Sequence, residues 1–141
     1  MDNGNENNSN ISIQTAYDII INEHVNLYHS LDFENIKNIE EPLKNAKQIF
    51  LIGAGRTGFM VKAATMRLMH LGYQVHVVGE TTTPAIGKND LLIAVSGSGT
   101  TKSIVNAAET AHKNEAKIVG FTTNPSSPLA ELANLTIIIP A

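Results

Sequence analysis

Five short runs of aliphatic residues, near 48–53, 74–78, 91–95, 117–121 and 135–139, dominate the sequence after residue 47. Stretches with the period of a helix lie between several of them, near 57–71, 100–114 and 127–133. The runs are nearly continuous in apolar residues and show no in/out alternation. Strands covered by helices on both faces read this way, and strands that alternate with helices form parallel sheets. Few other architectures tolerate the pattern, because parallel neighbours need a right-handed crossover between them.

The expected fold is therefore α/β, a doubly wound five-stranded parallel sheet in the flavodoxin-like order 2-1-3-4-5. An N-terminal helical pair precedes it. Ile13, Ala16, Tyr17, Ile20, His24, Leu27 and Leu31 recur at helical spacing, and a second helix after Asp32 places Ile36, Ile39, Leu43 and Ala46 on one face. Residues 1–10 are Asn-rich and polar and read as a disordered tail, so the domain is expected over 11–141.

In that strand order the first and third strands are neighbours at the switch point, where ligands bind at the carboxyl ends. Each of those strands runs into a loop of small residues, Gly53-Ala54-Gly55-Arg56-Thr57-Gly58 and Ser96-Gly97-Ser98-Gly99-Thr100-Thr101. A strand that turns through small residues into a helix presents backbone N–H groups and the positive end of a helix dipole to an anion. Two such loops side by side, both carrying hydroxyls, predict one phosphate held from two sides. Ser98 or Thr100 would also serve as an N-cap.

Composition narrows the chemistry. A net charge of −3 gives no support to nucleic-acid binding, and the absence of cysteine removes disulfides, thiolate catalysis and Cys metal sites. The five histidines show neither an i,i+4 pair nor HExxH, so no metal is expected. With no apolar run of membrane-spanning length and no signal-peptide pattern, the expectation is a cytoplasmic protein without membrane contact.

Three other features bear on function. Gly53-x-Gly55-x-x-Gly58 matches the dinucleotide fingerprint, and Glu80, 22 residues after Gly58, falls where a ribose-binding carboxylate would sit. The loop Ser96–Thr101 favours a phosphomonoester instead, which gains from every converging hydroxyl and N–H. On the helix after the first loop, Met60, Ala64, Leu68 and Leu71 form a stripe that Phe59, Ala63 and Met66 widen, with Arg67 and His70 inside the apolar arc. Such a helix is expected to be buried, in the domain or in a subunit interface. His70 is then either a hydrogen-bonded core histidine or part of an active site built across an interface, since imidazole suits proton transfer near neutral pH. The segment 122–128, Thr-Thr-Asn-Pro-Ser-Ser-Pro, reads as a turn into a helix with Pro128 at its first position.

From about Tyr17 to Ala141 the chain resembles the sugar-isomerase (SIS) domain family, and within it the 6-phospho-3-hexuloisomerases of the ribulose monophosphate pathway. The carriers are Gly-Ala-Gly-Arg-Thr-Gly-Phe at 53–59, Met-Arg-Leu-Met-His-Leu-Gly at 66–72, Val-Gly-Glu-Thr-Thr-Thr-Pro at 78–84 and Ser-Gly-Ser-Gly at 96–99. The resemblance implies interconversion of 3-hexulose 6-phosphate and fructose 6-phosphate through a 2,3-enediol, by a homotetramer that uses no cofactor. It implies phosphate contacts at Thr57, Ser96, Gly97, Ser98, Gly99, Thr100 and Thr101, further substrate contacts at Gly55 and Arg56, and catalytic roles for His70 and Glu80.

Three departures qualify it. Thr57 stands where the family usually has serine, and Thr100 where glutamate is frequent. The sequence ends at Pro140-Ala141, whereas family members continue into a helix carrying the glutamate presumed to be the general base, so a C-terminal truncation is expected. Two other classes compete, a non-catalytic phosphosugar-binding module and a Rossmann-type nucleotide binder.

Overall fold

The computed structural model describes residues 11–141, and the tail expected over 1–10 lies outside them. The chain divides into two compact units at Leu31/Asp32. In the first, helix α1 (Ile13–Ser30) starts at Ser12, whose side chain accepts from Thr15 N–H. It buries none of its residues, and Ile13, Tyr17 and Ile20 are exposed.

The second unit contains α2 (Phe33–Lys37), α3 (Glu40–Asn45), β1 (Ile49–Ile52), α4 (Gly55–His70), β2 (Val75–Val77), β3 (Leu91–Val95), α5 (Lys102–Lys113), β4 (Lys117–Thr122), α6 (Pro128–Leu132) and β5 (Leu135–Ile138). The five strands form one parallel sheet in the order β2-β1-β3-β4-β5. The expected topology is observed.

One expectation fails in detail. The helix anticipated after Asp32 is two short helices, α2 and α3, broken at Asn38-Ile39. Pro42 explains the break. It has no N–H to give the Asn38 carbonyl, and its ring crowds that carbonyl, so an unbroken helix is blocked. Asn38 and Ile39 N–H groups bond three residues back instead, to Asn35 and Ile36. The apolar face survives, because Ile36, Ile39, Leu43 and Ala46 all pack against the sheet.

Residue parity divides the core. Phe50, Ile52, Leu92, Ala94 and Ile118 meet Ile104, Ala108 and Ala111 of α5 and Leu129 of α6. Ile49, Leu51, Leu91, Ile93, Val119 and Ile137 face the other way, onto Val61 and Leu68 of α4 and the α2–α3 face. At the β5 edge, Asn35 Nδ2 donates to the Thr136 carbonyl at 2.9 Å, satisfying an acceptor an edge strand would leave open.

Of the two expected settings for helix α4, burial within the domain is not observed. Only Val61 and Thr65 are buried, and the Thr65 hydroxyl is satisfied by the Val61 carbonyl at 2.7 Å. Phe59, Met60, Met66, Met69 and Leu71 are at least half exposed, and Arg67 and His70 are exposed too. The reason is geometric. A helix lying on one sheet face contacts it through a single stripe, here Val61, Thr65 and Leu68, and among the described residues of this unit nothing covers the remainder.

Candidate functional site

The register sets the site. Ile52 of β1 pairs with Ala94 of β3, so both strands end at one level and their loops leave side by side, about 4.8 Å apart at the strand ends. Helices α4 and α5 begin there, with Ala54 and Thr101 at their N-caps. Neither cap residue accepts a bond from its helix through its side chain, and the N-cap of α5 is Thr101, so the expected capping by Ser98 or Thr100 is not found. By contrast Ser12, Asp32 and Ser127 cap α1, α2 and α6 through their side chains. Both helices at the switch point thus keep first-turn N–H groups available.

The first loop is shaped by close packing. A Cβ on Gly53 would come within 2.8 Å of Val61 Cγ2 and 3.1 Å of the Thr57 carbonyl, and one on Gly58 within 3.0 Å of the Gly53 carbonyl. Gly55 opens α4 at φ +56 with open space where a side chain would project, a conformation that glycine adopts without strain. Arg56 is exposed beside it, and Thr57 is half-buried.

The second loop separates outward from inward groups. The Ser96 side chain is buried, its Oγ 2.9 Å from Thr101 Oγ1 and accepting from Gly99 N–H at 3.1 Å. These two hydroxyls tie the loop together. Gly97, Ser98 and Thr100 are exposed. Ser98 Oγ accepts from Thr100 Oγ1 at 2.9 Å and Thr100 N–H at 3.2 Å, which points one hydroxyl pair outward. Among the described residues, the N–H groups of Gly97, Ser98 and Thr101 find no acceptor. Gly99 takes φ +69, and its carbonyl accepts from Leu129 N–H at 3.1 Å, joining the loop to α6.

Two sequence candidates lie apart from these loops. His70 closes α4, fifteen residues beyond Gly55 and so about 22 Å along the axis, towards the edge where the strands begin. Within one chain it does not reach the loops. Glu80 follows β2, and its carboxylate is 3.0 Å from Lys62 Nζ of α4. Lys62 was not legible as a partner in the sequence. Both side chains are more than half exposed, so the pair adds little stability. It does occupy the carboxylate that a nucleotide ribose would require.

A cavity of about 680 Å³ lies at the opposite edge, where β3, β4 and β5 begin, and its lining includes Lys88, Asn89, Asp90, Lys117 and Asn134. Size does not make it the better candidate. Parallel sheets gather their free N–H groups and helix N-termini at the carboxyl ends, where the two loops are. Among the described residues no cluster of His, Cys, Asp or Glu fits a metal ion. No described helix is long and apolar enough to cross a membrane.

The SIS domain model matches residues 42–141, which includes every strand and both loops. The chain belongs to the SIS domain family. It is 51% identical over 111 residues to a 3-hexulose-6-phosphate isomerase of Mycobacterium gastri, covering 79% of this chain and 56% of that protein. A Methanococcus jannaschii structure, for which a 3-hexulose-6-phosphate isomerase function has been inferred, superposes with TM-score 0.78 at 36% identity over 88% of this chain and 72% of that one. Vibrio vulnificus NanR, solved with ManNAc-6P, gives TM-score 0.72 at 26% identity, over 82% of this chain and 46% of its own. The chain spans between 50% and 66% of the length of the first curated relatives it matches.

Proposed function

We propose that this SIS domain binds a phosphosugar and serves a cytoplasmic isomerase that interconverts 3-hexulose 6-phosphate and fructose 6-phosphate in the ribulose monophosphate pathway. The observation that carries the reading is the pairing of β1 with β3, which sets two loops with free N–H groups and exposed hydroxyls side by side. The identity to the Mycobacterium gastri isomerase supports the substrate class.

In this reading the phosphate is held by the N–H groups of Gly97, Ser98 and Thr101, by the Ser98 and Thr100 hydroxyls, and by Thr57 and the N–H of Gly55 across the gap. Ser96 and Thr101 act through the loop, by their mutual hydrogen bond and the Ser96–Gly99 bond. Arg56, exposed at the α4 N-terminus, adds positive charge beside the phosphate or the enediolate. Anchoring the phosphate holds the distant ketone carbons in register with a base. Proton abstraction beside the ketone gives a 2,3-enediol, and reprotonation on the adjacent carbon completes the isomerisation.

His70 takes its part in proton transfer from a second copy, because within one chain α4 carries it away from the loops. The exposed apolar residues along α4, Phe59, Met66 and Met69, support an assembly, expected to be a homotetramer. Glu80, held by Lys62, faces the sugar hydroxyls from the β2 side. Those two distant positions also favour a second reading, a phosphosugar-binding module without catalysis. An isomerase assay on the chain decides between them, since turnover that is lost in His70→Ala with binding intact excludes the second.

The binding claim has its own test. Ser98→Ala removes one exposed hydroxyl and is expected to weaken fructose 6-phosphate binding by about 1.5–3 kcal/mol, the range for a hydrogen bond to a charged group. Unchanged affinity by calorimetry would place the phosphate elsewhere.

A further inference from the structure

We infer that Thr122 and Thr123, at the end of β4, are positioning residues for the anion loop, holding the Gly97–Ser98 peptide so that Ser98 N–H is aimed at the site. The inference rests on the phosphosugar reading of the two loops. Its basis is one carbonyl. Gly97 O accepts from Thr123 N–H at 2.9 Å, Thr123 Oγ1 at 2.8 Å and Thr122 Oγ1 at 3.0 Å. A carbonyl offers two lone pairs, so three donors on one oxygen exceed what satisfying it requires. Thr122 is in turn fixed, being fully buried and accepting from Asn124 N–H at 3.2 Å.

The consequence follows from peptide geometry. The Gly97–Ser98 unit is planar and trans, so its C=O and N–H point in opposite directions. Strand β3 lies between β1 and β4. A carbonyl drawn towards β4 therefore turns Ser98 N–H towards β1, where the Gly53–Thr57 loop emerges. That N–H has no partner among the described residues. Donors on the carbonyl also polarise the amide and strengthen its N–H as a donor to an anion. A plain tie between β4 and the loop would need one of these bonds, not three.

Thr123 is exposed, so Thr123→Val changes the donor with little effect on packing. In the full 141-residue chain, this variant is expected to bind fructose 6-phosphate and inorganic phosphate about five-fold more weakly by calorimetry, with Tm within about 2 °C. Its Ser98 amide, which has no hydrogen bond to lose, should exchange with solvent more slowly in the absence of ligand, because a carbonyl with one donor fewer leaves the N–H less acidic. Thr123→Ser and Thr122→Ser each keep the hydroxyl and should retain both properties of the unaltered chain. Thr123→Val with unaltered affinity and unaltered Ser98 exchange overturns the inference. An unaltered chain that binds neither ligand overturns the phosphosugar reading instead, and the exchange comparison then decides the positioning role by itself.

Discussion

Gly99→Ala is expected to unfold the anion loop and destabilise the chain by about 4 kcal/mol, the sum of overpacking and a left-handed backbone. A Cβ at Gly99 would overlap Ser127 Oγ and Cβ and come within 2.9 Å of Thr122 Oγ1. Neither neighbour can withdraw. Ser127 caps α6 by accepting from Ala130 N–H at 3.2 Å, and Thr122 is engaged with Gly97. The φ of +69 adds strain for any side chain. Chemical denaturation is the check, and a loss below 1 kcal/mol would mean that the loop reaches α6 in another way. Gly97→Ala is the contrast, since a Cβ there meets nothing within 4 Å.

The second large effect concerns the ligand. Fructose should bind a few hundred-fold more weakly than fructose 6-phosphate, because removing the phosphate forfeits at least two charge-assisted bonds, roughly 3–4 kcal/mol together. The loops offer the N–H groups of Gly97, Ser98 and Thr101 and the outward hydroxyls of Ser98 and Thr100, with Arg56 nearby. Equal affinities in parallel calorimetric titrations would show that the sugar, not the phosphate, is recognised. A steep loss of affinity in rising salt should accompany the phosphate-dependent binding.

Much of the fold could be read directly, because continuous apolar runs such as Leu91–Val95 have few uses other than a strand buried on both faces. The break between α2 and α3 was also written in the sequence, in Pro42, but the apolar spacing of Ile36, Ile39, Leu43 and Ala46 concealed it. Both helices keep that spacing, so periodicity is blind to the kink. Helix α4 was legible only as two alternatives, burial in the domain or in a subunit interface. Its wide apolar arc looked like burial, yet the sheet takes only the Val61–Thr65–Leu68 stripe, and composition cannot say whether a second surface exists.

At the site, the two loops were legible because glycine and hydroxyl residues directly follow apolar runs. Their internal division was not. That Ser96 turns inward while Ser98 turns outward depends on the Gly99 backbone and on Thr101, which spacing does not encode. The Thr122-Thr123 clamp was missed for the same reason. Two threonines after a strand are common, and only the neighbouring position of β3 brings them onto Gly97. The Lys62–Glu80 pair likewise links a helix to an edge-strand turn that are distant in sequence.

The central claim is that the paired loops of β1 and β3 form a phosphosugar site and not a nucleotide site. Thermal unfolding of the unaltered chain with fructose 6-phosphate, and separately with NAD, tests it most directly. At a concentration about one hundred times Kd, fructose 6-phosphate should stabilise the chain by roughly 2.7 kcal/mol and raise Tm by several degrees, with no shift from NAD. A rise with NAD and none with fructose 6-phosphate would contradict it.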